Sequence, residues 1–112
     1  MRHARPPDVD VVRWQSRPVL YVVVYAVAEG GADRIMEVYP RHLAYLTEFA
    51  RDGQVVAIGP MLPAPASGSM AVFRSREAAE AFPTGDPFVL EGLAVASEVR
   101  EWDALEFPAP AG

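Results

Sequence analysis

The sequence of 112 residues contains no cysteine and no lysine, and its only histidines are His3 and His42. Without cysteine the chain has no disulfide, no thiolate nucleophile and no thiolate metal site. All ten basic residues are arginines, which excludes Schiff-base chemistry and lysine-bound pyridoxal phosphate. Two histidines cannot form a multi-histidine zinc site within one chain. We therefore expect neither a metal nor a cofactor.

Long apolar runs are also missing from the sequence. The longest, at residues 19–28, has ten residues, whereas a membrane-spanning helix needs roughly 20. Arg2 and Arg5 are followed by Pro6 and Pro7, where the apolar core of a secretory signal would have to lie. These features predict a cytoplasmic protein that has no membrane partner.

Positive charge is scarce outside the N-terminal segment. The net charge is −5, with four arginines and two aspartates in residues 1–18 and six arginines against thirteen acidic residues in the remainder. Phosphate binding requires a basic face, so the acidic remainder argues against nucleic acid as a partner.

The length and a hydrophobic content of 51% are typical of one soluble domain. We divide the chain into an N-terminal extension at 1–18, a domain at 19–107 and a flexible tail at 108–112. Two interpretations of the extension remain open. It is either a disordered arm or a segment that docks on the domain through Val11, Val12 and Trp14.

The order of the predicted elements is β-α-β-β-α-β. The strongest signal is the run of β-branched and aromatic residues at 19–28, which predicts a central strand. The other elements are a helix ending at Gly53, strands at 54–58 and 69–73, a helix from Ser75 to Pro83, a helical turn at 86–90 and a strand at 94–102. This is the ferredoxin-like order, an α+β fold with an antiparallel sheet and both helices on one face.

The first helix carries an apolar stripe of helical period. The stripe consists of Ile35, Tyr39, Leu43, Leu46 and Ala50. The helix either begins at Pro40 or is longer and contains Pro40 in its interior.

The sheet face without helices also carries apolar side chains and needs a cover. A second copy of the chain is the natural cover. We therefore expect a homodimer in which two sheets face each other, a dimeric α+β barrel.

Few residues of the domain can carry chemistry. His42 lies beside the apolar stripe, where a lone histidine is more often a residue of the surface or core edge than a catalyst. It becomes a useful general base when a carboxylate fixes its tautomer and stabilises the imidazolium. Asp86 begins the helical turn at 86–90, and its simplest interpretation is an N-cap, although a cap can also expose a carboxylate. Tyr25 is more often a core or interface aromatic, but its hydroxyl is also a candidate for lining a pocket.

Several blocks of the chain, in their order and spacing, resemble the YCII-related family of small ferredoxin-like proteins. The resemblance covers about residues 19–103. The blocks are residues 21–25 (YVVVY), 40–46 (PRHLAYL), 53–61 (GQVVAIGPM), 68–73 (GSMAVF), 75–79 (SREAA) and 86–93 (DPFVLEGL).

The resemblance implies a dimer and a pocket in which His42 and Asp86 converge as the catalytic pair. It implies binding or shaping roles for four further residues: Gly59 and Pro60 at a turn beside the pocket, Ser69 on a strand facing it, and Phe88 at a usual aromatic position. The chain departs from the family pattern at Tyr39, which replaces a basic residue, and at Pro83 in the second helix. The second departure puts the approach of Asp86 to His42 in question.

These features favour a cofactor-independent acid–base enzyme, a lyase or an isomerase acting on a small cyclic or aromatic-derived molecule. The non-catalytic alternative is a dimeric ligand-binding or accessory module with an apolar cavity. A hydrolase with Ser69 as nucleophile ranks lower, because no nucleophile-elbow pattern surrounds this serine. A cofactor-free oxygenase rests on fold analogy alone.

Overall fold

The computed structural model describes residues 19–107 and 109–110. The predicted extension at 1–18 lies outside the described residues, and so do residues 108, 111 and 112 of the predicted tail. No helix in the described part of the chain is long and apolar enough to cross a membrane.

The elements follow the predicted order, and we number them along the chain. The strands are β1 (Leu20–Val27), β2 (Val55–Pro60), β3 (Ser69–Phe73), β4 (Ala94–Ala96) and β5 (Arg100–Trp102). The helices are α1 (Ile35–Phe49), α2 (Arg76–Gly85) and α3 (Pro87–Leu90), and short 3-10 turns lie at Gly31–Arg34 and Ala50–Asp52. Pro40 lies inside α1, so the longer of the two helices considered above is the one that forms.

The sheet is antiparallel and has the order β2-β3-β1-β4, with β5 also paired to β1. The main core lies between this sheet and α1 and α2, and is centred on Val23, Phe73 and Phe82. A smaller cluster on the other face contains Leu20, Val22, Val72 and Ala104. The helices therefore cover one face of the sheet, as the ferredoxin-like order predicts.

The prediction of one regular last strand is wrong in detail, because the strand is divided by a bulge. Tyr25 is opposite Ala96 whereas Val22 is opposite Arg100, so three residues, 97–99, face the two residues Val23 and Val24. The Ser97 hydroxyl accepts a hydrogen bond from the Val24 N–H at 2.9 Å and replaces a carbonyl in the ladder. The extra residue turns Val99, instead of Glu98, toward the helix-side core.

The stripe predicted for α1 is also rotated from the face that is buried. Tyr39 and Leu43 are about 42% and 43% exposed, whereas Val38 is fully buried and His42 is 9% exposed. Tyr45, Leu46 and Phe49 pack on the core one and two turns later. His42 therefore lies on the inward face of α1 and not at its flank.

The helix α2 begins as predicted, with the Ser75 hydroxyl accepting a hydrogen bond from the Ala78 N–H at 3.1 Å. It continues past Pro83 to Gly85, one half-turn further than the proline suggests. After this extension the chain reaches Asp86, whose side chain contacts His42 on the inward face of α1.

Candidate functional site

Asp86 lies at the junction of α2 and α3, where the chain turns between two helices. Its Oδ1 accepts a hydrogen bond from the Phe88 N–H at 3.0 Å and so caps α3, the simplest of the roles predicted for it. Gly85 allows the chain to pass close to Tyr45, because a Cβ at this position would collide with the Tyr45 ring. Tyr45 is held in turn by a 2.8 Å hydrogen bond from its hydroxyl to the Phe82 carbonyl.

His42 and Asp86 form a buried pair, although 44 residues separate them in the sequence. The distance from His42 Nδ1 to Asp86 Oδ1 is 2.8 Å, and Asp86 is 2% exposed. Because the same Oδ1 accepts the Phe88 N–H, we assign the proton of this hydrogen bond to His42 Nδ1. The other ring nitrogen, Nε2, has no hydrogen-bond partner among the described residues and retains its lone pair.

Phe88 stacks on the His42 ring. The ring centroids are 4.1 Å apart and the planes are inclined by 12°. Phe82 meets the imidazole edge-on at 6.5 Å, and the Tyr39 ring lies at 6.0 Å. These aromatic rings and the hydrogen bond to Asp86 fix the orientation of the imidazole.

The pair opens on a cavity of about 390 Å³ between α1 and the sheet. This volume falls within the roughly 300–1,000 Å³ of small-molecule sites. All seven residues predicted from the sequence line it: Tyr25, His42, Gly59, Pro60, Ser69, Asp86 and Phe88. Pro83 therefore does not keep Asp86 away from His42. No hydrogen bond joins Ser69 to His42 in the described part of the chain, which gives no support to a serine nucleophile.

One row of residues across the sheet forms the wall of the cavity opposite His42. Tyr25 on β1 is opposite Ser69 on β3, and Ser69 is opposite Pro60 on β2. Residues opposite each other in a ladder point to the same face, so all three side chains face the helices. Gly59 pairs with Met70 on the alternate face, and only its backbone reaches the cavity.

The Tyr25 side chain is 4% exposed, and its hydroxyl has no hydrogen-bond partner among the described residues. Burial, and after it the Asp86 carboxylate, raises the pKa of the Tyr25 phenol well above its ordinary value. The phenol is therefore protonated at neutral pH and can act as a hydrogen-bond donor.

The sequence analysis missed several apolar residues of the cavity wall. The missed residues include Val27, Ile35, Met36, Ile58 and Pro65. Ile35 and Ile58 could have been found from the sequence, because Ile35 begins the apolar stripe of the first helix and Ile58 ends the strand predicted at 54–58. Pro65 carried none, because its position depends on the path of the loop between β2 and β3.

Within the described residues, no group of three or more histidine, aspartate or glutamate side chains is placed to hold a metal ion. The cavity wall is mainly apolar, and its residues with polar side chains are Tyr25, Tyr39, His42, Ser69 and Asp86.

Comparison with known proteins adds a family and a structural neighbour. The sequence model of the YCII-related domain family matches residues 19–103. No curated protein matches the chain. Among solved structures, the chain is similar to 5-chloro-2-hydroxyhydroquinone dehydrochlorinase (TftG) from Burkholderia phenoliruptrix AC1100, solved in complex with 2,5-dihydroxybenzoquinone. The identity is 26% and the TM-score 0.60, over 74% of this chain and 92% of that one.

Proposed function

The chain belongs to the family of YCII-related domains, and from this premise we propose that it is a cofactor-independent acid–base enzyme. It is a lyase or isomerase that acts on a small cyclic or aromatic-derived molecule. His42 removes or delivers the proton, and Asp86 orients His42 and stabilises its protonated form.

One observation carries this proposal: the 2.8 Å bond between His42 and Asp86 at the wall of an apolar cavity. Because His42 Nδ1 donates to Asp86, the lone pair of Nε2 is available to a substrate. A carboxylate on the far side of an imidazole holds the tautomer and stabilises the imidazolium once it forms. Both interactions are stronger in a cavity that excludes water, where the effective dielectric constant is lower.

The reaction needs only these groups and the substrate. Nε2 of His42 takes a proton from a carbon of the ring, and the bonding electrons remain on the substrate. They then expel a leaving group from the neighbouring carbon, or the proton is returned at a different carbon. The first outcome is an elimination and the second a double-bond shift. General acid–base catalysis of this kind contributes about 10²–10⁴-fold to the rate.

The comparisons support the same class of reaction. The structural neighbour is a dehydrochlorinase by name, and its complex contains a flat oxygenated ring. The stacked rings of Phe88 and His42 and the apolar cavity wall suit a planar ligand.

The test uses two probes. Turnover of 5-chloro-2-hydroxyhydroquinone is measured by chloride release, and turnover of cyclohex-3-en-1-one is measured by the shift of its double bond. We expect turnover of at least one probe and a loss of about 10²–10⁴-fold in kcat for His42→Ala. Glu48→Gln, at an exposed ion pair outside the cavity wall, is the control and should keep full activity.

Asp86 variants separate its role in the site from its role as a cap. Asp86→Asn retains an oxygen for the Phe88 N–H but cannot stabilise an imidazolium, so activity should fall while stability changes little. Asp86→Ala also loses the cap, at a cost of about 1 kcal/mol in the free energy of unfolding. If both variants turn over the probes at the wild-type rate, the proposed mechanism is wrong.

The apolar character of the cavity wall favours one alternative, a non-catalytic dimeric ligand-binding or accessory module. In that case the wild-type protein binds both probes without turning them over, and His42→Ala changes only their affinity.

A further inference from the structure

The two hydroxyl-bearing side chains on the cavity wall opposite α1 belong to Tyr25 and Ser69. They are opposite each other on β1 and β3, and both line the cavity that contains His42 and Asp86. The catalytic pair thus comes from the helix side of the cavity and the two hydroxyls come from the sheet side.

Neither hydroxyl is satisfied within the described part of the chain. The Tyr25 hydroxyl is buried without a partner, and no side-chain hydrogen bond joins Ser69 to another described residue. Tyr45, the neighbouring tyrosine, shows the usual arrangement, because its hydroxyl donates to the Phe82 carbonyl. Unpartnered hydroxyls beside a cavity are suited to a ligand atom that accepts hydrogen bonds.

The charges around the cavity indicate what kind of atom this is. The described residues of the cavity wall include no arginine. Arg34, at the end of the first 3-10 turn, and Arg41, in α1, both form ion pairs with Glu91 outside the cavity. A carboxylate or phosphate would therefore meet Asp86 without a compensating cation, which favours the oxygen of an uncharged ligand.

We propose that Tyr25 and Ser69 donate hydrogen bonds to the carbonyl oxygen of an uncharged cyclic ketone or enone, and that this oxygen takes up the negative charge when His42 removes the adjacent proton. The inference rests on the proposed function and names its substrate class. The C–H bonding pair forms the carbon–carbon double bond of an enolate, and the carbonyl π pair moves to the oxygen. Collapse of the enolate expels a leaving group from the β-carbon or takes the proton back from His42 at a different carbon.

Tyr25 is suited to this role because it remains a donor. The raised pKa keeps the phenol protonated while the enolate forms. Fixed donors that point at a developing oxyanion in a water-poor cavity need no reorganisation during the reaction, and loss of one such donor typically costs about 10²–10³ in kcat.

The experiment compares two planar probes that differ by one oxygen on the full-length chain at about pH 8: 4-nitrophenol, whose phenolate oxygen mimics the enolate oxygen at this pH, and nitrobenzene. We expect the wild-type protein to bind 4-nitrophenol more tightly, and Tyr25→Phe to lose about tenfold of that affinity. Ser69→Ala should lose a smaller factor. The affinity for nitrobenzene should be unchanged in both variants. Tyr21→Phe is the matched control, because Tyr21 lies on the same strand and face but outside the cavity wall.

Thermal unfolding provides a readout that separates this role from a structural one. Tyr25→Phe removes an unpartnered buried hydroxyl, so the unliganded variant should unfold at or above the wild-type temperature while its binding of 4-nitrophenol weakens. A lower unfolding temperature combined with equal loss of both probes would show a structural role and overturn the proposal.

Unchanged binding of 4-nitrophenol by Tyr25→Phe would also overturn it, and so would the absence of saturable binding of either probe to the wild-type protein. None of these outcomes touches the proposed function, which depends on the turnover by His42 and Asp86 variants. Conversely, a tenfold loss in Tyr25→Phe together with full turnover by His42→Ala would retain the oxygen-binding pair and reject the acid–base enzyme.

Discussion

At the scale of single residues, the proposed chemistry depends on one oxygen atom that accepts two hydrogen bonds. Oδ1 of Asp86 accepts the N–H that caps α3 and also the Nδ1–H of His42. The cap fixes the carboxylate, and the carboxylate then fixes the imidazole. The simple interpretation of Asp86 and the functional one therefore describe the same bond network.

The sequence signals at this scale concern neighbouring residues, whereas His42 and Asp86 are far apart in the sequence. An aspartate before Pro87 is a recognisable cap, but nothing in the residues around it points to a histidine 44 positions earlier. The resemblance to the YCII-related family supplied that pairing. The sequence analysis missed the burial of His42 because it assigned Tyr39 and Leu43 to the buried face of the helix. These two residues are partly exposed, and the buried face contains Val38 instead.

The composition allows a pH test of Tyr25. Because the chain has no lysine and no cysteine, tyrosines are the side chains that titrate between about pH 9 and 12. Above about pH 10 the unfolded chain loses its tyrosine protons, whereas the raised pKa keeps Tyr25 protonated in the folded state. The unfolded state then binds fewer protons, so stability is lost as the pH rises.

We expect the free energy of unfolding to fall above pH 10 by up to about 1.4 kcal/mol per pH unit for each tyrosine held protonated. Tyr25→Phe should reduce this slope. Part should remain with Tyr45, whose pKa is also raised, by burial and then by Asp86. Urea unfolding from pH 8 to 11 measures the slope, and an identical slope in Tyr25→Phe would contradict the prediction.

At the scale of secondary-structure elements, the order of strands and helices follows from local signals. Runs of β-branched residues, glycines after elements and the Ser75 cap are each sufficient to place an element. The bulge between β4 and β5 is not visible in this way, because a single inserted residue reverses the alternation on which the prediction depends. At the bulge the Ser97 hydroxyl accepts a hydrogen bond from the N–H of Val24 on β1, 73 residues away in the sequence.

The junction of the β2–β3 loop with β3 offers a test of how the cavity wall is held in place. Gly68 has a φ of +77°, and a Cβ there would collide with the Tyr25 carbonyl oxygen. Gly53 has a φ of +82°, but a Cβ there meets nothing within 4 Å. The two glycines thus share a left-handed backbone and differ in the space around it.

We expect Gly53→Ala to lower the free energy of unfolding by about 1–2 kcal/mol through backbone strain alone. Gly68→Ala should cost about 1–3 kcal/mol more, because strand β3 has to shift relative to β1. The shift also separates Ser69 from Tyr25, so binding of 4-nitrophenol should weaken only in Gly68→Ala. Equal destabilisation of the two variants in urea would contradict this account.

At the scale of the whole molecule, the sheet face opposite the helices is only partly covered. Val24, Val95 and Trp102 lie on this face and are 40–60% exposed. They lie on the same face as the apolar cluster around Leu20 and Val22 and are its more exposed neighbours. An apolar sheet face of this kind is unfavourable in water, and a second sheet of the same kind would bury it.

The homodimer predicted from the sequence would use this face, with two sheets packed against each other. We expect sedimentation equilibrium to give twice the mass of the chain for the wild-type protein. Val24→Glu or Val95→Glu should give a monomer, because each places a charge in the centre of an apolar interface. Leu90→Glu is the control, since Leu90 is 67% exposed but lies on α3, on the helix side of the sheet. Because the cavity lies between the sheet and α1, the monomeric variants should still bind 4-nitrophenol. A wild-type monomer would contradict the homodimer, and a dimer that is dissociated by Leu90→Glu and not by Val24→Glu would place the interface on a different face.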